Sequence, residues 1–136
     1  MTTTDIEASA VAEDDCKLTA LGAALIRNAN RPKERIAAQA LAEERTILTL
    51  PQLQAALVVR DGGRVTCRWE GLTGKLYTLP LDPQQRAFLG LVLSLLGIGS
   101  TTLSAVSDLD PERLRVVTQA ILRLAGDDSI AIGTRL

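Results

Sequence analysis

The stretch LVVRDGGRVTCRWEGLTGKLYTLP, Leu57–Pro80, decides how the fold is read. Asp61-Gly62-Gly63 is a hairpin turn, because glycine accepts the positive φ that tight turns need. The runs that flank it are Leu57–Arg60 and Arg64–Glu70. In the second run Val65, Cys67 and Trp69 alternate with Arg64, Thr66, Arg68 and Glu70, the period of a half-buried strand. Gly71-Leu72-Thr73-Gly74 reads as another turn. Lys75–Leu79 then reads as a third strand, stopped by Pro80. The expectation is a small three-stranded antiparallel sheet.

On the C-terminal side, two segments share one capping pattern. Leu81-Asp82-Pro83 opens a helix that Gly97 closes, and Leu109-Asp110-Pro111 opens another that Gly126 closes. In each, Asp suits the N-cap, Pro the first helical position and Gly the residue past the end. Gln85 stands where a capping-box partner of Asp82 belongs, whereas Arg113 holds the matching place in the second helix. Between them Ser100 caps a short helix, Thr101–Ser107. Asp127-Asp128 and Ser129–Ile132 read as a turn and a short strand. On the N-terminal side, Leu18, Leu21 and Leu25 define one helix over residues 17–28, broken by Asn28-Ala29-Asn30-Arg31-Pro32. A second helix runs from Pro32 to about residue 47, with Ile36, Ala37, Ala40 and Leu41 inward. Gln52–Leu57 is a short helical turn. The fold class is thus α+β: two N-terminal helices, a small three-stranded antiparallel sheet, and a helix-turn-helix-like three-helix unit. The domain organisation is a disordered acidic tail (1–15), an N-terminal helical element (16–50) and a small α+β domain (51–136).

The chain has 136 residues and 14.5 kDa, enough for one domain core. It contains no His and two Cys. Without His there is no Ser-His-Asp or Cys-His catalysis and no His metal ligand, and two Cys cannot make a four-thiolate zinc site within one chain. The net charge of −1 averages an uneven distribution. Residues 1–15 carry five acids and no base, residues 16–86 eleven bases and six acids, and residues 87–136 four bases and five acids. The tail can therefore screen a basic middle. The Arg-, Ala- and Leu-rich composition suits a bacterial source. Cys16 and Cys67 read as reduced thiols of a cytoplasmic protein, and the N-terminus has no signal-peptide pattern. Ala87–Ser107 is free of charge for 21 residues, but its strongly apolar part ends at Ile98, short of a bilayer span.

No catalytic, cofactor or metal site emerges. Gly71-Leu72-Thr73-Gly74-Lys75 lacks the spacing and following helix of a phosphate loop. Gly97-Ile98-Gly99-Ser100 is explained by helix termination and capping. Asp108 and Asp110 lack a third ligand. The charged candidates are basic: Arg60, Arg64 and Arg68 on the sheet, and Arg27, Arg31 and Arg35, with Lys33 beside them, around the first helix break.

Thr102-Leu103-Ser104-Ala105-Val106, then Leu109-Asp110-Pro111-Glu112-Arg113-Leu114, then Val117 and Ile121, is similar to a helix-turn-helix. With the strands it resembles a winged helix. One family of that shape comprises DNA-binding regulators. Another is the peptide-recognition domain typified by the pyrroloquinoline-quinone biosynthesis chaperone. The latter resemblance implies a groove between Lys75–Leu79 and Arg113–Gln119, where a peptide adds as a strand. Its contact residues would be Leu76, Tyr77, Thr78, Arg113, Val116 and Val117. The expected function is non-enzymatic capture of a protein or peptide partner. The alternatives are a winged-helix DNA-binding regulator using Arg27, Arg31, Arg35, Arg60, Arg64 and Arg68, and an accessory subunit of an enzyme complex. The N-terminal helices have an apolar face to bury, which makes them a route to a homo-oligomer.

Overall fold

The computed structural model describes the backbone over residues 3–126 and side chains over residues 15–126. Within those bounds the chain forms five α-helices: α1 (Thr3–Arg27), α2 (Pro32–Glu44), α3 (Pro51–Leu57), α4 (Pro83–Leu95) and α5 (Pro111–Ala125). Three 3₁₀ turns, Ile47–Thr49, Trp69–Leu72 and Leu103–Asp108, link them. Strands β1 (Val58–Asp61) and β2 (Arg64–Cys67) form one antiparallel hairpin. The segment 1–15, expected as a disordered tail, belongs to α1 from Thr3 onward. The turn and strand expected at Asp127–Ile132 lie outside the described residues.

The expected three-stranded sheet is corrected to a two-stranded one. Lys75–Leu79 closes into turns: the Lys75 carbonyl accepts from the backbone N–H of both Thr78 and Leu79, each at 3.1 Å. The reason lies in the spacing of the apolar residues. Trp69, Leu72, Leu76 and Leu79 recur at three, four and three residues, a helical period, and all four pack into or against the core. A strand would have turned half of that set to solvent. The winged-helix-like fold class falls with the third strand. The expected short helix is a 3₁₀ turn with no buried residue; it packs on α4, and Leu114 of α5 is exposed rather than pinned beneath it.

The helices are bounded by the expected chemistry. Asp82 and Gln85 form a reciprocal capping box on α4, with N–H···O distances of 2.7 and 3.0 Å. Asp110 accepts from the Arg113 N–H, and Gly126, left-handed at φ 78°, ends α5. Helix α4 is the centre of the molecule: Ala87–Leu93 is buried without interruption, and α2 and α5 pack on it. Helix α2 offers Ala37, Ala38, Ala40 and Leu41 to the interior, and α1 lies antiparallel to it. Gly22 of α1 faces Ala42, while Asp15 reaches Arg45 at 3.6 Å.

The 3₁₀ turn that follows the hairpin is seated on α3 at Gly71. A Cβ there would fall well inside van der Waals contact of the Ala56 carbonyl oxygen in α3. Gly71→Ala therefore forces α3 and the 3₁₀ turn apart, with an expected loss of about 1–3 kcal/mol, the usual scale of overpacking. Urea denaturation against the wild type measures it.

Candidate functional site

A groove of about 730 Å³ opens between α1, α3 and the hairpin. Its wall on α1 is Lys17, Leu18, Ala20, Leu21 and Ala24, side chains that helical spacing brings to one side. Across it stand Thr49, Gln54, Arg60 and Val65. The strand register explains the last two. Arg60 pairs with Val65 and Val58 with Cys67, so these four share one face. Asp61 pairs with Arg64 and Val59 with Thr66, on the other face. Arg60 therefore does not join Arg64, as the sequence suggested, but stands over the groove with Lys17. Among the described lining residues both charged groups are cations, set above an apolar floor.

Arg64 instead turns to the first helix break. Its guanidinium donates to the Asn28 carbonyl at 3.4 Å, and the Asn28 amide donates to the Val65 carbonyl at 2.8 Å. These bonds bring the break that carries Arg27, Arg31 and Lys33 against β2. Arg27, Arg31, Lys33, Arg35, Arg64 and Arg68 are all exposed. No ion pair among the described residues engages any of them.

The residues expected to form a peptide groove are dispersed. Val116 and Val117 are core, at 0% and 1% exposure. Leu76 is half-buried against the core. Tyr77 is exposed, its ring 5.5 Å from the Arg86 guanidinium carbon. Thr78 donates its hydroxyl back to the Lys75 carbonyl at 3.0 Å.

Arg113 is internal to the fold. Its Nη2 lies 2.8 Å from the Glu44 Oε2 and its Nε donates to the same oxygen at 2.9 Å. Its Nη1 donates to Asp110 at 3.2 Å and to Gln84 Oε1 at 3.0 Å. The other Glu44 oxygen accepts the Ile47 N–H at 2.8 Å, and the Thr46 hydroxyl joins the cluster through Glu44 and Gln85. The Glu44 side chain is 1% exposed and that of Arg113 15%.

The two thiols stand apart from each other, and the chain has no His. Burial, with a smaller contribution from the negative charge of Glu34, pushes the Cys67 thiol up to about 12, which keeps it protonated and inert. Cys16 is exposed. No cluster of three or more metal-ligating side chains occurs among the described residues. No described helix is long and apolar enough to cross a membrane. Reasoning from sequence overlooked the contribution of Lys17, Ala20 and Ala24 to the groove wall; their three- and four-residue spacing was the available signal. No protein-family model, curated protein or solved structure matches this chain.

Removing the Arg113 guanidinium leaves the enclosed Glu44 carboxylate without its cation. Arg113→Ala is expected to cost about 3–5 kcal/mol, the scale for breaking a buried pair from one side. Chemical denaturation tests this: a loss below about 1 kcal/mol is what an exposed surface pair would give.

Proposed function

We propose that this chain is a non-catalytic interaction module that holds a protein segment in the groove between α1 and the hairpin. The observation that carries the reading is the make-up of the groove. Leu18, Leu21, Ala24 and Val65 supply apolar contact, while Lys17 and Arg60 fix a negatively charged occupant. Among the described lining residues there is no carboxylate, thiol or imidazole for acid-base or nucleophilic work. Strand addition at Lys75–Leu79 has no place in this proposal, because the backbone N–H groups of Lys75, Thr78 and Leu79 are bonded within turns and the segment is not extended. A photo-crosslinking residue at Ala20 in the full chain, expressed in its native cell, tests it. The expected outcome is a discrete adduct at Ala20, none at Tyr77, and loss of the adduct when Ala24→Arg fills the groove. Absence of an adduct at Ala20, or one indifferent to Ala24→Arg, overturns the reading.

The exposed cations Arg27, Arg31, Arg35, Arg64 and Arg68, none of them in an ion pair among the described residues, support a second reading, contact with nucleic-acid phosphates. Such binding weakens linearly in log K with log salt, with a slope of roughly −0.9 per phosphate contact on duplex DNA. Fluorescence anisotropy with a labelled duplex should show that slope fall by about 1 for Arg64→Ala. A slope near zero in the wild type excludes this reading.

A further inference from the structure

We infer that the groove takes the acidic leading segment of a second copy of this chain, so that two α1 helices pair antiparallel. The inference rests on the groove being an interaction site and names its occupant.

Charge is the first argument. The charged groups among the described lining residues are both cations, Lys17 and Arg60. Residues 1–15 carry five acids and no base. Asp15, the one acid of that segment whose side chain is described, turns to Arg45 of α2.

Helix continuity is the second. Residues 3–27 form one helix, so the acidic segment and the groove wall lie on the same rod. A helix advances about 1.5 Å per residue along its axis and does not fold back on itself. The acidic segment therefore does not fold back across the groove of its own chain, whereas the same segment of a second copy can lie along it.

Sequence symmetry is the third. Ile6, Ala10, Glu13, Lys17, Ala20 and Ala24 are spaced four, three, four, three and four residues apart, the interval of a helix-pairing seam. The series mirrors itself about position 15. In an antiparallel pair Ile6 meets Ala24, Ala10 meets Ala20, and Glu13 meets Lys17 of the other copy. The twofold axis makes the contact self-complementary and closed, with the Glu13–Lys17 pair formed twice. Small residues at 10, 20 and 24 let the helix axes approach closely.

The test uses the full chain at micromolar concentration, with mass read by sedimentation equilibrium and helicity by circular dichroism. The wild type is expected at the mass of two chains. Glu13→Lys alone and Lys17→Glu alone each place like charges at both crossings, and each is expected at the mass of one chain. Mixing these two variants restores both pairs, and the two-chain mass is expected to return. That rescue requires contact between copies, since a role within one helix is not repaired by mixing. As an independent check, Ala10→Cys/Ala20→Cys in a Cys16→Ser background should oxidise to a covalent dimer, whereas Ala20→Cys alone should not. A monomeric wild type, a single variant that keeps the two-chain mass, a mixture that stays monomeric, or absence of the double-cysteine cross-link each overturns the inference. If the Ala20 photo-adduct contains a different protein, the groove reading stands and the second-copy inference falls.

Discussion

The contact between Arg113 and Glu44 joins three helices at one point. Glu44 ends α2, Arg113 lies in the first turn of α5, and Gln84 and Gln85 belong to the first turn of α4. An enclosed carboxylate is costly unless its cation and hydrogen-bond donors are all in place. Here the Arg113 guanidinium, the Ile47 N–H and the Thr46 hydroxyl supply them. The backbone helps: Arg45 adopts a positive φ of 76°, which ends α2 sharply and turns Thr46 and Ile47 back toward the Glu44 side chain.

Around that point the core is aliphatic. Helix α4 is buried on every side over Ala87–Leu93 and acts as the post on which α2, α5 and the 3₁₀ turn Leu103–Asp108 lean. The near absence of aromatic residues makes this workable, since alanine and glycine permit close helix approach where larger residues would hold helices apart. Gly22 against Ala42 is one such approach, and Gly90 likewise lets the connecting residue Thr101 lie close on α4. The groove is the by-product: α1 spends one face on α2 and leaves the next, Lys17 to Ala24, standing off from the hairpin.

Much of this was legible in the residues themselves. Asp82, Pro83 and Gln85 announced the start of α4, and Asp110, Pro111 and Gly126 the bounds of α5, because capping chemistry is local. The hairpin at Asp61-Gly62-Gly63 was equally plain. The third strand misled because Lys75–Leu79 is too short to separate alternation from helical spacing; Trp69 and Leu72 had to be counted with it. The groove was harder to see. Whether Arg60 faces Lys17 or Arg64 depends on strand register, and register follows from packing between residues distant in sequence. Arg113 illustrates the same limit: nothing near it in sequence reveals that its partner is Glu44.

That separation has a kinetic side. Glu44 and Arg113 stand 69 positions apart, whereas α1 with α2, and α4 with the turn after it, meet through neighbours along the chain. Local contacts form early in folding, and distant ones wait on the entropy of closing a long loop. The ion pair is therefore a late closure. Its influence falls on how slowly the native protein opens, more than on how fast the chain collapses.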